Sequence, residues 1–258
     1  MNPNFVKTCW FIPPPPNFDE LFEHQGSFFA DSWDDVKRQN CLNWLKEKGM
    51  DTFTPWLANW DPRCRVNFFL DTYCGAIDYA KANHAKDWFK LIHEIGAKIV
   101  PMLWVADEHK NEYVCFDDRH PTFIQLVVQS LDEYVEAWMV GCESTRYFGI
   151  QQHNDLIKEM RKYTNKPVGS HIQWRTYNPL PLIDFLAYEH SWDPHKGDEI
   201  SMSKFAEETQ DVLNKSPIPV WALEYNININ GNKMKEQTRY LLDLAKTNDK
   251  LIGIGGLF

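Results

Sequence analysis

The feature that most constrains the fold is a repeated alternation of two hydrophobic periods along the chain. Eight short apolar runs, rich in β-branched and aromatic residues, have the pattern of strands buried on both faces of a parallel sheet. They occupy residues Phe5–Phe11, Asp51–Leu57, Lys98–Val105, Tyr134–Cys142, Val168–Gln173, Asp184–His190, Pro219–Asn226 and Leu251–Phe258. Segments with a helical period separate them, so the sequence predicts repeated βαβ units.

The helical segments carry start and stop signals. Ser32 and Asp35 have the spacing of a capping box, and Gly49 ends the helix predicted after them. The next predicted helix ends at Gly96 and has one apolar face, formed by Ala85, Trp88, Phe89, Ile92 and Ile95. Four further helices are predicted near residues 121–128, 156–163, 203–213 and 234–246.

Eight strands with helices on one side fit a closed barrel better than an open sheet in a chain of 258 residues. No Gly-x-Gly-x-x-Gly follows a predicted strand, which disfavours a dinucleotide-binding fold. The sequence therefore predicts an α/β protein, a single-domain (β/α)8 TIM barrel over residues 1–258. Two departures are expected. The fifth crossover, between Gln173 and Asp184, is too short for a full helix, and the eighth helix is missing after Phe258.

The charge balance excludes several classes of partner. Lys and Arg number 27 against 36 Asp and Glu, which gives a net charge of −9, and no basic stretch offers a surface for a polyanion. We therefore expect no nucleic-acid partner and no membrane partner, and no apolar window has the length of a membrane span. The first residues do not resemble a signal peptide, so we expect a cytoplasmic protein or one released by a route without a signal.

Aromatic side chains are abundant, with 11 Trp, 10 Tyr and 16 Phe, and many lie where the predicted strands end. In a β/α barrel the carboxyl ends of the strands form the mouth of the active site. Rings at this rim have apolar faces that suit the C–H faces of sugars, so an uncharged polyhydroxylated ligand is expected. The candidate substrate-binding residues are Trp10, Trp56, Trp104, His171, Trp174, Tyr188, His190, Trp192 and Tyr225. The alternative is that these rings fill the layer between barrel and helices.

Two glutamates, Glu143 and Glu224, close the predicted fourth and seventh strands. A carboxylate at the end of an apolar strand is costly unless it is paired or used. Glycosidic cleavage needs two carboxyl groups, one to protonate the leaving oxygen and one to attack the anomeric carbon or activate water. Side chains from the fourth and seventh strands can meet across a barrel mouth. The alternative is that both glutamates form structural ion pairs, with Arg146 or Arg175.

The stretches Val-Gly-Cys-Glu, ending at Glu143, and Trp-Ala-Leu-Glu-Tyr, around Glu224, resemble the strand-four and strand-seven motifs of glycoside hydrolase clan A. The resemblance implies that Glu143 is the acid/base and Glu224 the nucleophile of a retaining mechanism. It also implies that His190 and Tyr188 correspond to the His and Tyr usually found near the nucleophile. Two positions depart from the family: Cys142 stands where many members have Asn, and Phe258 where a Trp often ends strand eight.

Two other functions remain open from the sequence. A metal-dependent sugar isomerase would use Glu143, His171, Glu189, His190 and Glu224 as ligands. A carbohydrate-binding barrel with weak or no catalysis is the second, and Cys142 favours it. None of the six cysteines forms a Cys-x-x-Cys pair, and we expect no cofactor and no resident metal. The carbohydrate substrate is the one partner predicted, and the sequence leaves the oligomeric state open.

Overall fold

The structure is a computed structural model, and it describes residues 8–9, 34–48, 52–55, 57–59, 66–67, 79–104, 119–141, 149–173, 180–190, 200–224 and 231–255. Within these ranges the strands are β1 (Thr8–Cys9), β2 (Thr52–Phe53), β3 (Ala58–Asn59), β4 (Val66–Asn67), β5 (Lys98–Ile99), β6 (Met102–Trp104), β7 (Trp138–Gly141), β8 (Val168–Gln173), β9 (Phe185–Glu189), β10 (Val220–Glu224) and β11 (Leu251–Ile254). The helices are α1 (Asp35–Lys48), α2 (Tyr79–Glu94), α3 (Arg119–Leu131), α4 (Ile150–Met160), α5 (Met202–Lys215) and α6 (Gly231–Ala245).

The parallel strands follow one another in chain order. β1 pairs with β2 and β2 with β5, and a second sheet runs from β6 through β7, β8, β9 and β10 to β11. β5 and β6 are two parts of one strand. Pro101 lies between them and has no N–H for the ladder, but its carbonyl still accepts a hydrogen bond from the Met139 N–H at 2.9 Å. Counted this way, eight parallel strands succeed one another, with β7 fourth and β10 seventh.

Backbone hydrogen bonds join the second and third strands across the break at Pro101. The Val100 N–H donates to the Phe53 carbonyl at 2.9 Å, and the Leu57 N–H donates to the Met102 carbonyl at 3.0 Å. Among the described residues no backbone pairing joins β1 to β11, the two ends of this series. The order and direction of the strands are those of a β/α barrel.

Two apolar clusters separate the inside of the barrel from its outer layer. The larger cluster combines strand residues with residues of the helices, such as Phe89, Phe123 and Phe205, so it fills the space between strands and helices. The smaller cluster contains no helix residue and takes alternate positions of neighbouring strands. It therefore fills the lumen, and its members are Val100, Met102, Ala137, Met139, Phe185, Ala187, Trp221, Leu223 and Ile252.

Polar clamps join neighbouring units at the end of the barrel where the strands begin. The Asp132 carboxylate accepts hydrogen bonds from Trp138 Nε1 at 2.8 Å and from the Thr164 hydroxyl at 2.6 Å. Asp184 accepts from the Val168 N–H at 2.7 Å and also pairs with Arg161. These bonds tie the segments that precede β7, β8 and β9 to one another, so polar groups cross-link this end of the barrel.

Local chemistry explains two of the helix ends. Ser201 caps α5, because its hydroxyl accepts a hydrogen bond from the Lys204 N–H at 3.2 Å. Two residues beyond the end of α2, Gly96 has a φ of 84°, which favours glycine and stops the helix as the sequence predicts. Ile95 was predicted on the buried face of α2, but it lies beyond the helix and is 39% exposed.

The fourth strand begins later than predicted. Asp132–Tyr134 form a short 3-10 helix, and the strand starts at Trp138 rather than at Tyr134. The Asp132 hydrogen bonds to Trp138 and Thr164 hold this turn against the barrel. The described part of the fifth crossover, Leu180–Asp184, contains no helix. No helix in the described ranges is long and apolar enough to cross a membrane.

Candidate active site at the carboxyl ends of the barrel strands

His171 and Glu189 occupy the lumen side of two neighbouring strands near their carboxyl ends. A Cβ on Gly169 would lie 2.3 Å from the ring of Phe185, which is a lumen residue, so position 169 of β8 also faces the lumen. Side chains alternate along a strand, so His171 follows on the same face. On β9 the lumen residues Phe185 and Ala187 place Glu189 on that face in the same way.

Backbone register places Glu224 beside Glu189. On β10 the lumen residues are Trp221 and Leu223, so simple alternation would assign position 224 to the helix side. A register shift intervenes, however: Ala222 pairs with Tyr188, and the next pair is Glu224 with Glu189. The extra residue, Leu223, forms a β-bulge, and it brings position 224 onto the same face as position 189. Gln173 of β8 also pairs with Glu189, so the three positions form one row at the edge of the sheet.

The lumen beneath this row is a packed apolar floor. The rings of Phe185 and Trp221 lie 6.2 Å apart between centroids, and both side chains are fully buried. His171 pairs in register with Ala187 of this floor and is itself fully buried. A ligand would therefore reach the row from the carboxyl ends of the strands and would not pass through the barrel, as in other β/α barrels.

Burial controls the charge state of His171. It lowers the pKa of this side chain to about 3, because the charged imidazolium loses its hydration inside the barrel. His171 is therefore a neutral hydrogen-bonding group at ordinary pH. The Glu189 side chain is also buried, with 9% of its surface exposed. In the described part of the chain, no group of three or more His, Cys, Asp or Glu residues is arranged to hold a metal ion.

Tyr188 and His190 lie on the other face of β9, away from the predicted rim. The His190 ring stacks on Phe205 of α5 at 4.1 Å between centroids, and its Nε2 lies 2.9 Å from the Thr209 hydroxyl. The Thr209 hydroxyl hydrogen goes to the Phe205 carbonyl, so His190 Nε2 is the donor in this contact. The Tyr188 hydroxyl lies 3.3 Å from the same nitrogen. Both rings occupy the layer between strand and helix because they alternate with Ala187 and Glu189.

Trp104 ends β6, where its backbone is in register with Gly141 of β7. Val100 and Met102 are lumen residues, so alternation places position 104 on the lumen face. Glu143 follows Gly141 by two positions. Several predicted site residues lie outside the described ranges, namely Trp10, Trp56, Glu143, Trp174, Trp192 and Tyr225, together with Cys142 and Phe258.

The sequence predicts Glu189 only as a ligand in the alternative metal site, and the register of β9 places it in the row. All five residues of β9 are buried, so hydrophobicity along the strand does not alternate and gives no sign of which side faces the lumen. Glu189 lies an even number of residues from Phe185, so the two side chains share one face of the strand. This assignment can be made once Phe185 is known to face the lumen.

No protein-family model matches the chain, and no curated protein sequence matches it. Solved structures do match its fold. A family 1 β-glucosidase from Thermotoga maritima has a TM-score of 0.67 at 10% identity, over 99% of this chain and 88% of that one. A GH113 β-1,4-mannanase has 0.60 at 12% identity, over 99% and 88%. A GH5_18 variant from Bifidobacterium longum in complex with Manβ1-4GlcNAc has 0.63 at 12% identity, over 98% and 68%.

These neighbours are GH1, GH113 and GH5 enzymes, which all belong to glycoside hydrolase clan A. The TIM-barrel fold predicted from the sequence is confirmed, and so is its resemblance to the barrels of this clan. At 10–12% identity the likeness is one of fold.

Two buried histidines lead to a prediction about acid stability. Burial lowers the pKa of His153 to about 4 and that of His171 to about 3, from an ordinary value of 6.5. Below pH 6.5 the unfolded chain takes up protons that the folded chain does not. The free energy of unfolding should therefore fall between pH 6.5 and pH 4, by up to about 1.4 kcal/mol per pH unit for each histidine.

Urea unfolding between pH 7.5 and pH 4.5 measures this slope. The His153→Gln variant should show a shallower slope than the wild type, because glutamine takes up no proton in this pH range. Gln can also keep a hydrogen bond to the Ser170 hydroxyl, which lies 2.9 Å from His153 Nε2. The His93→Gln variant, at an exposed position, is the matched control and should keep the wild-type slope. Equal slopes in all three proteins would show that burial of His153 does not contribute to acid sensitivity.

Proposed function

We propose that this chain is a glycoside hydrolase that cleaves a β-linked neutral saccharide by a retaining, double-displacement mechanism. The observation that carries the proposal is the register of β10. The bulge at Leu223 brings Glu224, at the end of the seventh strand, into the row of Glu189 and Gln173 on the lumen face. Glu143, two residues beyond the end of the fourth strand, is the second carboxyl group of the proposal.

In the proposed reaction the Glu224 carboxylate attacks the anomeric carbon while the Glu143 carboxyl group protonates the departing glycosidic oxygen. The bond from carbon to the leaving oxygen breaks as the glycosyl ester forms. Glu143, now ionised, takes a proton from water, and the water oxygen displaces Glu224 from the same carbon. Two inversions restore the original configuration and return both side chains to their starting states. Such a mechanism requires the two carboxyl groups to lie about 5–5.5 Å apart.

Several features support a neutral sugar as the substrate. His171 is a neutral buried group beneath the row and can exchange hydrogen bonds with a hydroxyl. Trp104 follows the lumen residues Val100 and Met102 along the chain, and a tryptophan ring suits the apolar face of a pyranose. The neighbours in fold include β-glucosidases and a β-1,4-mannanase, and one of them holds Manβ1-4GlcNAc. We therefore propose a β-glucoside or β-mannoside as the substrate class and the remaining predicted aromatic residues as the sugar-binding rim.

The structure weakens the metal-dependent isomerase as an alternative. That function would use His190 as a ligand beside His171, but the His190 ring stacks on Phe205 in the layer under α5. Tyr188 and His190 are accordingly left out of the sugar-contacting set proposed here. We assign them instead to fixing the carboxyl end of β9, since the contacts of His190 with Thr209 and Phe205 tie that end to α5.

A panel of aryl β-glycosides and β-linked polysaccharides tests the proposal. Turnover of an aryl β-glucoside or β-mannoside is expected, with the same rate in the presence of a chelator. The anomer formed first, followed by NMR, is expected to have the β configuration of the substrate. An α anomer would replace the retaining mechanism with an inverting one. Loss of turnover with chelator would favour a metal enzyme, and sugar binding without turnover would favour a carbohydrate-binding barrel.

A further inference from the structure

Just before Glu224, the backbone of β10 departs from the regular hydrogen-bonding pattern with β11. The departure lies beside Gly255. In a regular strand, successive carbonyls point towards opposite neighbouring strands. Here the Ala222 carbonyl accepts a hydrogen bond from the Gly255 N–H at 2.7 Å. The next carbonyl oxygen, that of Leu223, lies 2.0 Å from the place that a Cβ on Gly255 would occupy. Two successive carbonyls of β10 therefore lie on the side of β11.

This arrangement is the β-bulge seen from its other side. On the β9 side, the ladder passes from the Ala222–Tyr188 pair to the Glu224–Glu189 pair and leaves Leu223 without a partner in the ladder. On the β11 side, the carbonyl that would have served β9 is turned towards Gly255. The added residue and the turned carbonyl belong to one conformation, and a bulge of this kind re-aims the side chain that follows it.

The contact is one that only glycine can make. A Cβ at position 255 would lie 2.0 Å from the Leu223 oxygen, 2.7 Å from its carbonyl carbon and 2.8 Å from its Cα, and all three are backbone atoms. The Leu223 carbonyl cannot move alone, because it shares a planar peptide group with the Glu224 nitrogen. Any shift that made room for a methyl group would therefore move the backbone of Glu224.

We propose that Gly255 is a positioning residue for Glu224: the absence of its side chain permits the bulge, and the bulge sets the backbone position of Glu224 at the lumen edge. The inference rests on the proposed function, in which Glu224 is the nucleophile. It assigns to β11 a part in the reaction, although Gly255 itself contacts no reacting atom.

The test compares Gly255→Ala with Gly149→Ala. Gly149 is exposed, and a Cβ there would meet only the Gln152 side chain, at 3.9 Å, so it is a matched glycine-to-alanine control. The concentration of competent active sites is measured by titration with a 2-deoxy-2-fluoro aryl glycoside. Misfolded protein is therefore not counted when kcat is calculated. For Gly255→Ala we expect kcat per titrated site to fall about 10- to 100-fold, since small displacements of a reacting group have effects of that size. KM should change by less than about twofold, and Gly149→Ala should match the wild type.

The outcomes separate this inference from the function on which it rests. A wild-type protein that hydrolyses no glycoside overturns the proposed function and the inference with it. If the wild type turns over and Gly255→Ala keeps its kcat per site, the inference alone is overturned. If Gly255→Ala does not fold in buffer, it is refolded with an osmolyte such as TMAO, which favours the compact state, and the wild type is measured in the same solution. A low kcat per titrated site is expected there, and a wild-type value would overturn the inference.

Discussion

Replacing Glu224 by alanine is expected to reduce kcat/KM for an aryl β-glycoside by about 1,000-fold or more, which corresponds to roughly 4 kcal/mol of activation free energy. The reason is that the first displacement has no nucleophile when the carboxylate is removed. Steady-state rates of the wild type, of Glu224→Ala and of Glu207→Ala measure the effect. Glu207 is exposed on α5, so its variant controls for the loss of a carboxylate and should retain the wild-type rate.

Azide distinguishes loss of the nucleophile from loss of fold. In Glu224→Ala a small anion can occupy the space of the carboxylate and attack the anomeric carbon from the same side. A single displacement inverts the configuration, so rescue should yield the α-glycosyl azide from a β-glycoside. A folded Glu224→Ala protein with near-normal hydrolysis would remove Glu224 from the mechanism. Absence of rescue, together with a normal thermal unfolding transition, would assign it a role other than nucleophile.

Replacing Glu143 by alanine should have an effect that depends on the leaving group. For a substrate with a poorly acidic leaving group we expect kcat/KM to fall about 100- to 10,000-fold, the range attributed to general acid catalysis. For a dinitrophenyl glycoside, which leaves without protonation, the first step should be far less affected. A plot of log kcat/KM against the leaving-group pKa measures this, and its slope should be steeper in Glu143→Ala than in the wild type.

The azide product gives the second readout for Glu143. In Glu143→Ala the glycosyl ester on Glu224 still forms, and azide should capture it without help from a general base. Two displacements retain the configuration, so the product should be the β-glycosyl azide, opposite to that of Glu224→Ala. Equal losses for all leaving groups would rule out the acid role of Glu143. An α product from both variants would contradict the assignment of the two glutamates.

Much of the fold could be predicted because it depends on patterns that a sequence displays. The strand Val168–Gln173 has the predicted bounds, and Pro167, which has no N–H for the ladder, precedes it. The end of α2 was marked by Gly96, whose positive φ other residues rarely adopt. The fourth strand was predicted to begin at Tyr134, which instead ends the turn Asp132–Tyr134. The place of this turn is set by hydrogen bonds of Asp132 to Trp138 and Thr164, and sequence periodicity does not record such tertiary contacts.

The candidate site could be predicted only in part. When a strand is buried on both faces, its sequence does not show which side chains face the lumen and which face the helices. Hydrophobicity does not distinguish lumen from helix side on β9, so Tyr188 and His190 were placed at the rim while Glu189 was left out of it. The bulge before Glu224 was also invisible, since it depends on how β10 sits between β9 and β11. The only sequence feature linked to the bulge is Gly255. Its role becomes clear only from the structure, in which the Leu223 carbonyl occupies the space of a side chain at position 255.

The clamps made by Asp132 and Asp184 lie at the end of the barrel opposite the row of Gln173, Glu189 and Glu224. The stabilising polar contacts thus lie at one end of the barrel and the candidate site at the other. If the proposed function holds, the segments that follow the strands can therefore be exchanged to alter substrate preference while these anchors are left intact. A library confined to the segments after Trp104 and Gln173 should consequently contain a larger fraction of folded members than one that varies Asp132, Thr164 or Asp184.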